Sequence, residues 1–290
     1  MLPVLLKAGT LYVVATPIGN LEDLTFRAVR VLSSVNIIAA EDTRHSAKLL
    51  TRHGISTRRT SLHEHNEYHK TPRLIARLAR GETIALVSDA GTPLISDPGN
   101  RLVAAAIKNG LNVQSIPGPS AVIAALVSSG LADAPFTFVG FPPRRTNARK
   151  LWYENLFIGD RTFVLFEVPH RLKNSLEDLR ETVGDQEIAV CRELTKINEQ
   201  LILGTISLVL EKLTEPRGEF TIVVKNKEKS AKEPKGKTKI GCMHKDFCHL
   251  IDFGLSRRAA LRAVASKHGV SSRVVYQEIE QSKLESQEPD

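Results

Sequence analysis

Ile84-Ala-Leu-Val-Ser-Asp-Ala-Gly-Thr-Pro-Leu-Ile-Ser-Asp-Pro-Gly99 joins four apolar residues to a loop holding Gly91, Pro93, Pro98 and Gly99. A short apolar run closed by turn residues reads as a buried strand. Glycine lets a backbone approach a ligand closely, and proline fixes the course of the chain. A loop rich in both, with two aspartates and hydroxyl side chains, is expected to bind a ligand; a purely structural turn is the alternative.

The same pattern repeats outward. Strands are expected near 11–15, 37–40, 84–87, 113–116, 136–139, 162–166, 188–191, 200–203 and 220–224. Helical periodicity falls near 24–33, 46–53, 71–79, 100–108, 120–129, 171–182 and 207–213. Strands alternating with helices give an α/β fold, and 290 residues suffice for two such domains. Pro117-Gly-Pro119 divides the pattern about equally, so the expected domains are 1–118 and 119–225, with a cleft between them. Ser120 is expected to cap the helix that follows.

Beyond that the composition shifts. Lys225 to Lys239 carries seven lysines against two glutamates with no apolar periodicity, which reads as a basic flexible linker, 226–240. Residues 241–290 read as a helical module: Val264, Ala265, Gly269, Val270 and Val275 match a helix-turn-helix with its second helix starting at Ser271 or Ser272. Any helical hairpin with a glycine turn has similar spacing.

The chain is 42% hydrophobic and 25% charged, ordinary values for a folded protein. The longest apolar run, Ala121 to Val127, is far shorter than the roughly twenty residues a membrane helix needs. Leu2 to Leu6 is too short for a signal core, so no membrane association and a cytoplasmic location are expected. Three cysteines form no even framework and no Cys-x-x-Cys pair, in keeping with free thiols. Cys242, His244, Cys248 and His249 lie close together in no standard zinc spacing, and no metal is expected. A formal charge of +8 favours a polyanionic partner, with nucleic acid first.

Chemistry-bearing residues cluster at strand ends, where open α/β sheets place their ligands. Thr16-Pro-Ile-Gly-Asn20 follows the first strand but lacks the glycine spacing of a dinucleotide site or a phosphate loop. Glu41-Asp-Thr-Arg-His45, Glu167-Val-Pro-His-Arg171 and Arg192-Glu-Leu-Thr-Lys196 each close a strand with ionisable groups. Glu41, Asp42, His170 and Glu193 are candidates for taking a proton or orienting the substrate, and Arg44 and Arg171 for holding phosphates. For Asp42 a helix cap is the competing account. Arg144, Arg145, Arg149 and Lys150 form a basic cluster suited to sequence-blind phosphate contacts, or else a solvated helix start.

Taken in order, Thr16-Pro-Ile-Gly-Asn-Leu21, Glu41-Asp-Thr-Arg44, Ser88-Asp-Ala-Gly-Thr-Pro93, Ile116-Pro-Gly-Pro-Ser-Ala121, Glu167-Val-Pro-His-Arg171, Arg192-Glu-Leu-Thr-Lys196 and Gly218-Glu-Phe-Thr221 resemble the bacterial ribosomal RNA small-subunit methyltransferase I family. The resemblance covers about 10–225 and places the chain in the tetrapyrrole methylase superfamily. It implies two α/β domains with S-adenosylmethionine in the cleft between them, a homodimer, and 2′-O-ribose methylation of a cytidine in the decoding region of 16S ribosomal RNA. By motif position it implies cofactor contacts at Pro17, Gly91, Pro93, Ile95, Ser120 and Ala121. Where tetrapyrrole members carry Gly-Asp-Pro this chain has Gly91-Thr92-Pro93, so the carboxylate contact is replaced by the Thr92 hydroxyl or supplied by Asp89. That departure, with the lysine-rich linker and the helix-turn-helix pattern, argues against a tetrapyrrole substrate. A non-catalytic regulator that binds nucleic acid through its C-terminus is the reading from another class.

Overall fold

The computed structural model describes residues 6–132, 135–157, 161–214, 216–226, 243, 246–248, 250–251 and 256–285. The chain divides into two compact units, Met1–Glu228 and Lys229–Asp290.

The first unit holds two five-stranded sheets. In the first, β1 (Thr10–Val14), β2 (Ile37–Ala40), β3 (Arg59–Ser61), β4 (Ile84–Val87) and β5 (Asn112–Ile116) run parallel in the order β3-β2-β4-β1-β5. The strands β1, β2 and β4 are buried on both faces, which is why they read as unbroken apolar runs rather than alternating ones. Alternate residues serve opposite layers. Tyr12, Val14, Ile38 and Ala85 pack under α1 (Phe26–Ser34) and α2 (Thr43–Arg52). Leu11, Val13, Ile37 and Leu86 pack under α3 (Glu64–Ala79) and α4 (Asn100–Lys108).

The second sheet has the order β6-β7-β10-β8-β9, built from β6 (Phe136–Gly140), β7 (Arg161–Glu167), β8 (Glu187–Arg192), β9 (Gln200–Thr205) and β10 (Phe220–Asn226). Only β6 and β7 are parallel; the remaining pairs are antiparallel. One face carries α5 (Ala121–Ser128) through Val122, Ala125 and Leu126. The other carries α6 (Thr146–Leu156), α7 (Pro169–Val183) and α8 (Ile206–Lys212) over Phe163, Leu165, Val190 and Ile222. The Pro117–Pro119 turn lies between the last strand of the first sheet and the helix that packs on the second.

Two expectations need correction. The strand β10 continues through Lys225 and Asn226, which pair with Thr162 and Arg161, and the Asn226 side chain donates to the Phe157 carbonyl at 3.3 Å. Those residues are sheet, and 227–240 lie outside the described residues. In the basic cluster, Arg149 is only 3% exposed. Its guanidinium bonds the Asp178 carboxylate and the carbonyls of Pro143 and Arg144, so it has nothing left to offer a phosphate. Lys150 is ion-paired with Glu181 and Asp178; Arg144 and Arg145 stay exposed.

In the second unit the helices Arg257–His268 and Ser272–Glu285 meet at Gly269, whose positive φ of 63° is the left-handed turn that ends the first helix. Met243, Phe247, Val264, Val275 and Ile279 form its core. Cys242, His244 and His249 lie outside the described residues.

Asp178 is 7% exposed, and deleting one member of a buried ion pair strands the other charge at a penalty of roughly 3–5 kcal/mol. Asp178→Ala is expected to destabilise the protein by about that amount in urea denaturation. The double change Arg144→Gln with Arg145→Gln should leave the midpoint within experimental error. Equal midpoints for all three proteins would refute the structural role of Arg149.

Candidate active site

The strands β1 and β4 are neighbours, yet the chain leaves them in opposite directions, from β1 toward β2 and from β4 over β1 toward β5. Such a switch point opens a crevice beyond the carboxyl ends of the two strands. The loops that start there are Thr16–Asn20 and Ser88–Gly99, and they are bonded to each other. The Thr16 amide donates to the Gly91 carbonyl at 2.8 Å and the Gly91 amide to the Thr16 carbonyl at 3.0 Å. The buried Thr16 hydroxyl also donates to the Ser88 carbonyl at 3.3 Å. Gly91 has φ +76°, and a Cβ there would press on Ile18 Cγ2 at 3.3 Å, so the position calls for glycine on both counts. The Thr92 hydroxyl donates to the Pro119 carbonyl at 3.1 Å, tying in a third loop. Ser120 then caps α5, its Oγ accepting from the Ile123 amide at 3.5 Å.

These loops form one wall of a cavity of about 350 Å³ between the two sheets, within the range of small-molecule sites. Ile18, Gly91, Thr92, Ile95 and Asp97 face it from the first sheet, and Ser120 and Ala121 from the start of α5. Phe141, Phe166, Glu167, Cys191 and Thr221 close it from the second sheet. The rings of Phe141 and Phe166 lie 5.5 Å apart. Burial pushes the Cys191 thiol up to about 11, so it is a neutral part of the wall. The Glu167 side chain is fully buried, accepts from the Val168 amide at 2.9 Å and lies 3.3 Å from the Arg171 guanidinium.

Asp97 is a second ionisable group of this wall displaced from ordinary behaviour. Burial drives its pKa up to about 6; the Ser88 hydroxyl pulls the other way, and the charges of Glu41 and Asp89 add to the rise. Glu41 is raised as well, first by burial and then by Asp89 and Asp42, against the Asp89 amide, which donates to its carboxylate at 3.4 Å. Among the described residues, positive φ outside glycine occurs at Leu94, Ser96, Glu193 and Thr195. All four fall in the two loops that supply Ser96 and Leu194 to the cavity, and strained backbone gathers where a site must be held in shape.

Of the residues expected to contact a cofactor, Gly91, Thr92, Ile95, Ser120 and Ala121 line the cavity, whereas its described wall does not include Pro17, Asp89 or Pro93. Ile18 takes the place beside Pro17, and Asp89 instead accepts from the Asp42 amide at 3.0 Å. The proton and phosphate candidates stand outside that wall. Asp42 caps α2, accepting from the Arg44 amide at 2.7 Å. The Glu193 carboxylate is clasped by Lys196 at 2.9 Å and the Glu219 amide at 2.8 Å; burial raises its pKa, but these donors outweigh burial and hold it low. Arg171 donates to the Pro142 carbonyl at 2.6 Å. Arg44 and His170 are exposed. Asp97, Phe141, Phe166 and Cys191 went unnoticed as individual residues, although Asp97 lies inside the loop that pointed to the site.

Residues 10–209 match the family of tetrapyrrole (corrin/porphyrin) methylases. A protein of Halalkalibacterium halodurans described as ribosomal RNA small subunit methyltransferase I is 44% identical over 92% of this chain and 93% of its own length. Its counterpart in Synechocystis, of the same description, is 44% identical over 93% and 96%. Uroporphyrin-III C-methyltransferase of Thermus thermophilus, solved in complex with S-adenosylhomocysteine, has the same fold at 17% identity, with a TM-score of 0.54 over 74% of this chain and 97% of that one.

Asp97 keeps its proton in the folded protein up to about pH 6 but releases it near 3.8 when unfolded. Folding therefore takes up a proton between those values, and the stability this group contributes is full below about pH 4 and lost as pH rises through 6. Asp97→Asn is expected to melt higher than the parent protein at pH 8, with the difference shrinking toward pH 4. A variant that melts lower at pH 8 would show that the carboxylate is not penalised there.

Proposed function

The chain belongs to the tetrapyrrole (corrin/porphyrin) methylases and, among them, to the ribosomal RNA small subunit methyltransferase I family, and from that premise we propose that its cavity binds S-adenosylmethionine for methyl transfer to a cytidine 2′-hydroxyl in the decoding region of 16S ribosomal RNA. The observation that carries the reading is the cavity itself, set at the switch point and walled by Gly91, Thr92, Ser120 and Ala121. The fit is chemical as well as positional. Small residues and positive φ at Gly91 bring backbone close to a ligand, and Phe141 and Phe166 offer aromatic faces to a flat base and a cation. Asp97 and Glu167 supply carboxylates opposite in sign to a sulfonium.

When bound, S-adenosylmethionine supplies a methyl already activated by its sulfonium. The residues of the wall then have two tasks. They place the ribose hydroxyl in line with the methyl, for which positioning can supply about 7–11 kcal/mol. They also accept the hydroxyl proton, a contribution of about 10² to 10⁴-fold. Asp97 is the group proposed for the proton: it lines the cavity, and its pKa of about 6 leaves it ionised at neutral pH yet basic enough to accept. Glu41 stands behind it as a partner in charge. Glu193 and Arg171 hold the loops, and His170 stays exposed at the start of α7.

The second unit supports RNA as the substrate, since its two helices expose Arg258, Arg262 and Arg273, and a tethered basic module raises the effective concentration of its target. The edge strand β9 leaves Leu201 and Leu203 41% and 45% exposed, an apolar strip suited to a homodimer contact. No described helix is long and apolar enough to cross a membrane, and a ribosomal RNA substrate supports a cytoplasmic reaction.

The protein incubated with methyl-tritiated S-adenosylmethionine and small ribosomal subunits lacking the modification is expected to label their RNA at a 2′-O-methylcytidine. Asp97→Asn should slow transfer by about 10²-fold while cofactor affinity moves less. Label absent from RNA would contradict the function, and transfer at the parent rate would remove Asp97 from the proton's path.

A further inference from the structure

The edge strand β3 bonds only to β2, and beside it, along α2, runs an open groove that the cavity does not include. Arg44, Arg58 and Arg59 line it, together with the hydroxyl-bearing Thr43, Ser56 and Thr60. No aspartate or glutamate is among its described lining residues. All three arginines are exposed, and none has an ion pair among the described residues. Some cations elsewhere in this unit have carboxylate partners, as Arg77 and Arg80 do in Glu82, Arg149 in Asp178 and Lys196 in Glu193, while Arg144 and Arg145 have none among the described residues; what marks the groove is three such guanidiniums on one lining. Across β3 the charge has the same sign. Lys70 Nζ donates to the Ser61 carbonyl at 2.6 Å and to Thr60 Oγ1 at 3.2 Å, and Arg73 stands exposed nearby on α3.

One end of the groove lies at Thr43 and Arg44, two residues past Glu41. The Asp42 amide there donates to Asp89 at 3.0 Å, and the loop that follows Asp89 enters the cavity wall at Ala90. Unmatched guanidiniums and hydroxyls thus lead along the sheet edge to the rim of the site. Cations on an edge strand also discourage pairing with a second sheet. That accounts for Arg59, but not for Arg44 on a helix or for a lining without carboxylates.

We infer that this groove is the track that holds the phosphodiester backbone of the RNA whose ribose enters the cavity, with Arg44, Arg58 and Arg59 each facing a phosphate. The assignment rests on the RNA methyltransferase reading. Such contacts act through charge and counterion release, so they are read in salt dependence rather than in base specificity.

The test uses the full chain carrying Arg44→Gln, Arg58→Gln and Arg59→Gln together, with the three Arg→Lys changes as a charge-preserving companion. Binding to small ribosomal subunits is titrated across potassium chloride concentrations. Each lost phosphate contact lowers the slope of log affinity against log salt by about 0.7 to 0.9, so the glutamine variant should lose roughly 2 units of slope. Its KM for the particles should rise, S-adenosylmethionine affinity should stay at the parent value, and the lysine variant should keep most of the slope. An unchanged slope and affinity in the glutamine variant, with the parent protein active, would overturn the groove alone. A parent protein that transfers no methyl to the particles would overturn the reading beneath it, and the groove's role with it.

Discussion

Two reciprocal hydrogen bonds between Thr16 and Gly91 hold the site together. They join the loop after β1 to the loop after β4, neighbouring strands that send their chains in opposite directions. Parallel strands leave a crevice at such a point whatever the sequence. The bridge turns that crevice into a wall with fixed backbone, and it can form only because Gly91 accepts a positive φ. Thr92 extends the wall to Pro119, and through it to the capped start of α5.

Much of the charge at the strand ends is spent on holding this architecture. Asp42 caps a helix, Glu193 is clasped by Lys196 and the Glu219 amide, and Arg171 ties Glu167 to the Pro142 carbonyl. These contacts keep loops with strained residues at Leu94, Ser96, Glu193 and Thr195 in place around the cavity. Once those groups are committed, Asp97 is left facing the cavity with its pKa raised, and the arginines beside β3 are left without anionic partners. In the proposed function the proton falls to Asp97 and the RNA backbone to Arg44, Arg58 and Arg59.

The α/β fold was largely legible because the strands at Ile37–Ala40 and Ile84–Val87 and the helix Asn100–Lys108 have strong apolar runs or periodicity bounded by turn residues. The strand Arg59–Ser61 was not, since an edge strand of three polar residues carries no apolar signal. Pro72, inside α3, hid the first turns of a helix that begins at Glu64. For Arg149, sequence shows a cation in a basic run but not the Asp178 that buries it, 29 positions away. The site was half visible: its glycine-rich loop is a local pattern, whereas Phe141, Phe166, Cys191 and Thr221 reach it from separate strand ends that only the fold brings together.

The central claim is that the wall built on Thr16 and Gly91 holds the methyl donor. A crystal structure of the protein grown with S-adenosylhomocysteine tests it most directly. The product should lie between Gly91–Thr92 and Ser120–Ala121, with Asp97 and Phe166 against it. Density for the product at any other place on the molecule, with this cavity filled only by solvent, would contradict the account.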